Sequence, residues 1–388
     1  MTFRRQRLVR RRRMLGLSQQ QLAEHVGVDR STVVRWERGE SAPHPWHRPR
    51  MARALKITAE ELDDLLLDCG PANGPQTERL EHAAANPAGI DLVSVACLRE
   101  QVTSLDAAYD TAPSSALLAD AGQCLGQIGI FRRNAASSQV RRELTIAEAE
   151  AATLMGKLVW DASGRRDQAT PLVFLDQAVT AAGQVGDKAA QGHALLRKSY
   201  LALYGSRDPR DGHRLASAAA DTARQASNAL TGLALLHAAE GCAMRGERRA
   251  CERCLGQAEA LLDRIAEIDT GAGLFTLVHY RRLAGSCYLY LHDPARAQQY
   301  LTAAARDLAG GTKSQAIVLG NLALACLRQR KPDEAAAHLG DAITVIEQTW
   351  GGGGLSVVFA AGRELKPWRA EPVVQDAYDR LLSLMAAA

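Results

Sequence analysis

Between residues 3 and 67 the apolar positions recur every three or four residues in five short runs, each bounded by a residue that starts or stops a helix. The first run, 3–15, puts Leu8 and Leu15 on one face. Arg12 lies four residues beyond Leu8 and faces the same core, and Glu37, four residues beyond Val33, also turns inward. A buried guanidinium needs a partner, which predicts an Arg12–Glu37 pair tying the first helix to the third. Ser18 opens the second helix, with Gln21 completing a capping box. Gly27 turns the chain, and Asp29 is expected to cap a third helix that runs to about Arg38 and stops at Gly39. Pro43, Pro45 and Pro49 mark a loop and then the first turn of a fourth helix ending at Leu55. Thr58 and Glu61 form another capping box, for a fifth helix reaching Leu67.

The pattern then breaks. Residues 69–77 hold two Pro and two Gly without apolar periodicity and read as a linker. Helical periodicity returns over Leu92–Tyr109 and Ser114–Ile130, within a connector spanning 78–140. From 141 to 388 a repeat emerges. Gly164, Gly205 and Gly246 are spaced 41 residues apart, each closing one helix before a second, alanine-rich one. Later breaks fall at His292-Asp293-Pro294 and Lys331-Pro332-Asp333. The second helices are expected over Ala169–Ala182, Gly212–Ala226, Ala250–Ile265, Ala297–Leu308 and Ala335–Gln348. Small residues recur inside them, as in Ala297-x-x-x-Leu301-x-x-Ala304, which lets paired helices approach closely. Leu365 to Arg369 and a helix over Val373–Met385 read as a closing cap. The fold class expected is all-α: a five-helix head over 1–68 and a solenoid of helical hairpins.

Composition agrees. Apolar residues make up 47% of the 388 and aromatics only 5%, which favours helices over sheets. Charge adds an asymmetry that periodicity does not show. Residues 1–68 carry a net +5 and the remainder a net −1, so a polyanion partner is expected for the head alone. No apolar run approaches a membrane span, and no secretory apolar region follows the basic N-terminus. A cytoplasmic protein with eight reduced thiols is the expectation.

Candidate chemistry changes little. Cys251-x-x-Cys254 stands without a second ligand pair and reads as structural thiols. Gly310-Gly311-Thr312-Lys313-Ser314 has the wrong order for a phosphate loop and follows no strand. Gly351–Gly354 reads as a flexible loop. No catalytic constellation emerges, and neither an enzyme activity nor a cofactor or metal is expected.

Leu17-Ser18-Gln19-x-x-Leu22-Ala23, Val26-Gly27-Val28 and Val33-x-x-Trp36-Glu37-x-Gly39, followed by Ala52-x-Ala54-Leu55-x-Ile57-Thr58, resemble the XRE (Cro/phage-repressor) helix-turn-helix family over residues 3–68. The proline-rich approach to the fourth helix departs from that pattern. The resemblance implies that the third helix enters the major groove of double-stranded DNA. There Arg30, Ser31 and Arg35 would meet bases, with Asp29 and Thr32 beside them. It further implies that Gln19 holds phosphate from the start of the second helix, and that Arg38 and Ser41 grip the DNA backbone. Arg10, Arg11 and Arg13 would add non-specific attraction, while Arg4, Arg5 and Arg7 read equally as a solvated face.

The hairpin repeat resembles tetratricopeptide (TPR) repeats, with Asp293-Pro294-x-x-Ala297 and Pro332-Asp333-Glu334-Ala335 fitting best. In such arrays the first helices line a concave wall. Aligning the repeats places Arg197 and Lys198, His237, Arg282 and Asn321 on that wall, with Glu240 and His279 one turn away. A column of polar donors suits a peptide backbone or an anion. The whole arrangement is similar to RRNPP-type and actinobacterial helix-turn-helix/TPR regulators, which implies a peptide or small-molecule signal and no membrane partner. A homodimer on a palindromic operator is implied as well. Two rival readings are an adaptor that recruits a protein to DNA without a small ligand, and an enzyme using the cysteine pair.

Overall fold

The computed structural model describes residues 5–38, 41, 43–44, 47–58, 61–62, 65–66, 75–269, 271–308 and 310–387. It forms two compact units, 1–85 and 86–388, called here the head and the body. All regular structure among the described residues is helical.

In the head, α1 (Gln6–Met14), α2 (Gln19–Val26), α3 (Arg30–Glu37) and α4 (Arg48–Leu55) surround one core of Leu8, Leu22, Val26, Val33, Trp36, Met51 and Leu55, joined by Leu62, Leu65 and Leu66. Local chemistry sets the ends. Ser18 Oγ accepts from the Gln21 N–H at 3.1 Å while Gln21 Oε1 accepts from the Ser18 N–H at 2.8 Å. Gly27 then turns the chain at φ +82°, a region open to glycine. Thr58 and Glu61 make the same reciprocal pair of bonds, although the fifth helix they open lies partly outside the described residues. Gly39 lies outside them too. Asp29 corrects one expectation: its backbone is extended as at a cap, but its side chain makes no capping bond. A further helix, α5 (Pro75–Ala85), starts inside the stretch expected to be linker. Proline is well suited to a first helical turn, where its missing N–H is not needed.

The body opens with α6 (Leu92–Ala108) and α7 (Ser114–Asn134). Helical hairpins follow: α8 (Ser138–Ala162) with α9 (Ala169–Val185), α10 (Lys188–Tyr200) with α11 (Pro209–Ala223), and α12 (Asn228–Met244) with α13 (Arg248–Leu262). The series continues with α14 (Leu277–Tyr290) and α15 (Pro294–Asp307), α16 (Lys313–Arg328) and α17 (Pro332–Thr349), then α18 (Gly352–Leu365) and α19 (Pro372–Ala387). Each helix packs on the next, and the first helices α8, α10, α12, α14, α16 and α18 also pack side by side. That is a TPR-like α-solenoid. Buried alanines such as Ala216, Ala219, Ala220 and Ala223 on α11 keep the axes close. At Gly285 on α14 a Cβ would fall 2.5 Å from Leu301, so the crossing with α15 admits no side chain there.

The glycine spacing is only partly the origin of the hairpin turns. Gly164 and Gly246 adopt positive φ, but Gly205 does not. It lies inside a π-helical stretch, Leu201–Ser206, that continues α10, and the left-handed residue at that turn is Arg207. His292 and Arg330 serve the later turns in the same conformation.

Gly351–Gly354 corrects another expectation. Gly352, Gly353 and Gly354 are the buried first turn of α18 rather than a loose loop. A Cβ on Gly351 would sit 2.6 Å from Asp161 Oδ2. Asp161 ends α8, yet it accepts from the Gly352 N–H at 2.6 Å, from Ser114 Oγ at 2.6 Å and from Lys313 Nζ at 3.2 Å. Lys313 Nζ also donates to Ser114 at 2.8 Å and lies 4.0 Å over the Tyr109 ring. The Lys313 N–H reaches the Asp110 carbonyl at 2.9 Å. This buried clasp joins the α6–α8 arm of the body to its α16–α18 arm.

Candidate nucleic-acid interface and body cavity

The head presents α3 to solvent while fixing it from behind. Val33, Trp36 and Glu37 are the buried residues of that helix. Arg12 Nε donates to Glu37 Oε1 at 2.6 Å and its Nη2 to Oε2 at 3.2 Å, while Nη1 caps the Leu17 carbonyl at 2.7 Å. Gln19 joins from α2, its Nε2 donating to Glu37 Oε2 at 2.7 Å. One amide N–H of Gln19 is thus engaged by Glu37, and the backbone N–H groups at the start of α2 are open to an anion.

The outward face is different. Arg30, Ser31 and Arg35 are exposed, Thr32 is half-buried, and Asp29 and Ser41 are exposed. Arg30 and Arg35 make no hydrogen bond or ion pair among the described residues. Arg38 is exposed as well, but it does have a partner.

Two arginines have structural roles that the basic run in the sequence hides. Arg5 is buried, not solvated: Nε donates to the Leu66 carbonyl at 2.7 Å, and Nη1 to Trp36 and Ser41 carbonyls at 2.9 and 2.7 Å. Arg11 donates to the Leu55 and Lys56 carbonyls at 3.0 and 2.7 Å, closing the C-terminus of α4, where carbonyls lack helical partners. Arg10 and Arg13 are exposed.

In the body the first helices surround a cavity of about 1310 Å³. Six of the seven residues read onto the concave wall line it: Arg197, His237, Glu240, His279, Arg282 and Asn321. Lys198 does not. One residue past Arg197, it turns about 100° round α10 and pairs with Asp176 on α9 at 2.6 Å.

The wall has order. Glu240 is buried and accepts from Tyr204 Oη and, at 2.6 Å, from Ser286 Oγ. Tyr204 comes from the π-helical stretch and also lies 2.9 Å from His237 Nδ1. Such stretches often re-aim side chains where a helix carries function. His237 packs against Tyr200 with the rings tilted by 47° and their centroids 4.2 Å apart. His193, which the sequence reading passed over, lies one turn before Arg197 and its Nε2 accepts from Arg197 Nε at 3.2 Å.

Burial holds these imidazoles neutral. His193 is pushed down to about 3 by burial and then by Arg197, and His279 to about 4 by burial and then by Arg282. His237 is lowered too, chiefly by burial. Among the described residues, no group of three or more His, Cys, Asp or Glu is placed to hold a metal ion, and no helix is long and apolar enough to cross a membrane.

The geometry of α2, the Gly27 turn and α3 defines a helix-turn-helix domain, and comparison with known proteins agrees. Residues 8–62 match the helix-turn-helix family model. Over 56 residues the chain is 41% identical to an uncharacterised HTH-type transcriptional regulator of Methanothermobacter thermautotrophicus, covering 14% of this chain and 78% of that protein. By its N-terminal domain the chain belongs to the helix-turn-helix family. Against solved structures, the crystal structure of yeast Tom70 aligns over 92% of this chain and 82% of that one, at 12% identity and a TM-score of 0.32. So loose a superposition adds nothing to the architecture established by the helix packing above.

Proposed function

We propose that this protein is a sequence-specific DNA-binding transcriptional regulator whose TPR-like body binds a peptide or small-molecule signal. The observation that carries the reading is the two-sidedness of α3. Its inner face is locked by Arg12, Glu37 and Gln19, while Arg30, Ser31 and Arg35 stand exposed on the other. Laid in the major groove, Arg30 and Arg35 offer bidentate donors to guanine and Ser31 a hydroxyl to either strand. Asp29 and Thr32 flank them, Arg38 and Ser41 lie near the DNA backbone, and the N–H groups at the start of α2 meet phosphate. One such head reads too few base pairs for genomic selectivity, so two heads of a homodimer bind a palindrome with half-sites about one helical turn apart. The body sets how those heads are arranged, and its cavity takes the signal.

Selection of bound duplexes from a random pool gives the operator and its half-site spacing. Arg35→Ala is then expected to lose about 1–3 kcal/mol on the operator and to relax preference at one base position. A variant that weakens all duplexes equally would remove the base-reading role of Arg35.

A further inference from the structure

The cations lining the cavity fall into two groups. Lys157 pairs with Asp106 at 2.6 Å, Arg99 with Glu150 at 2.6 Å, Arg328 with Glu364 at 2.9 Å, and Lys313 and Arg165 with Asp161. Four others, Arg197, Arg207, Arg282 and Arg363, have no carboxylate partner within ion-pair distance among the described residues. Arg207 and Arg363 are exposed, whereas Arg197 and Arg282 are half-buried. Arg282 Nε is buried without any hydrogen bond, and Arg197 lies over the Tyr200 ring at 5.1 Å. Both line the same cavity, Arg197 over the Tyr200 ring that itself lies against His237, and both charges help to lower His237.

A desolvated cation without a counter-charge is unfavourable, and two that repel each other are more so. Glu240, a buried carboxylate of the same wall, is already held by Tyr204 and Ser286, and Asp106, which feels the Arg197 charge, is paired with Lys157. His237 is 2% exposed and its Nε2 has no partner. Its Nδ1 faces Tyr204 and Glu240, which holds the ring proton on that side and leaves Nε2 as an acceptor. The wall around this spot is apolar and aromatic: Leu201, Leu203, Leu230, Leu233 and Leu283, with Tyr200.

We propose that the cavity binds a small organic acid: an anion held between Arg197 and Arg282, with an N–H or O–H that donates to His237 Nε2 and an apolar or aromatic remainder against the leucine wall. The inference rests on the reading of the body as the signal-binding part.

The probe is anilinonaphthalene sulfonate, which carries a sulfonate, a neighbouring N–H and an aromatic body. Phenylnaphthylamine, which lacks only the sulfonate, is the uncharged control. Fluorescence titration of the full chain is expected to show saturable sulfonate binding that weakens at least tenfold in Arg282→Gln and in Arg197→Gln, with the control unchanged. Equal binding of the sulfonate by wild type and both glutamine variants overturns the anion site, as does the absence of saturable binding. Circular dichroism confirms that the variants are folded. The same preparations are tested on the selected operator. Retained operator binding with no arginine dependence of the probe sinks this inference alone, whereas no binding to any selected duplex sinks the regulator reading instead.

Discussion

Removing the Glu37 carboxylate tests how the head is held together. In Glu37→Ala, Arg12 loses both bonds to its partner, and Gln19 loses its acceptor. The Arg12 side chain is only 7% exposed, so its charge stays buried with one carbonyl, that of Leu17, still in reach. Stranding one member of a buried pair typically destabilises by about 3–5 kcal/mol. A unit of some 80 residues has roughly 4–12 kcal/mol in total. The substitution therefore removes a large part of the head's stability without touching an outward residue. Hydrogen exchange on the full chain, read peptide by peptide, is the assay, because a chain of two units does not unfold in one step. Exchange in α1–α3 is expected to quicken roughly 10²–10⁴-fold, with body peptides unchanged. The control is Arg12→Met with Glu37→Leu, which leaves no buried charge and should return most of the protection. If the double variant exchanges as fast as Glu37→Ala, volume rather than charge governs the site. If Glu37→Ala matches wild type, the pair contributes nothing.

Two further outcomes concern the body. Lys313→Met leaves Asp161 buried with Ser114, the Gly352 N–H and Arg165 still near, so the loss should be about 2–3 kcal/mol, at or below the low end for such pairs. For a unit of about 300 residues that lowers its calorimetric transition by about 3–5 °C, and a change under about 1 °C would show the clasp to be idle. Second, His193, His237 and His279 titrate below the usual imidazole value when folded, so the unfolded chain binds more protons. Their contribution is complete above about pH 6.5 and is lost as the pH falls from there toward the folded values. Between pH 7 and 5 this amounts to on the order of 1–2 kcal/mol for His193, and His193→Gln should flatten the pH dependence of the body's melting; an unaltered slope would refute it.

What could be read from the sequence was whatever a short window decides. Capping residues and apolar spacing suffice for the bounds of α2, because a helix end is satisfied by groups three residues away. Arg12 and Glu37 could be paired because each sits on the apolar face of its own helix, and a core admits charge only in company. The clasp had no such signature. Asp161 meets partners 47, 152 and 191 residues away, and nothing near Lys313 or Gly352 marks them as mates. The glycine run looked loose because glycine permits mobility, but here its missing side chains allow α18 to press on Asp161 and Ala316. Gly205 misled similarly, since the π-helical stretch moved the turn to Arg207. His193 was legible and missed: it lies four residues before Arg197, on the same face of α10.

The clasp also bears on how this body can evolve. Helical repeat proteins ordinarily gain and lose length by duplication or deletion of hairpins, since each unit touches only its neighbours. Here Asp161 near the start must find Lys313 and Gly352 near the end. One hairpin more or fewer would carry those arms apart and leave a buried carboxylate facing nothing. The repeat number is thus under selection as a single quantity, so variation among descendants should accumulate in turns and outer helices while the count of hairpins between Asp161 and Lys313 stays constant.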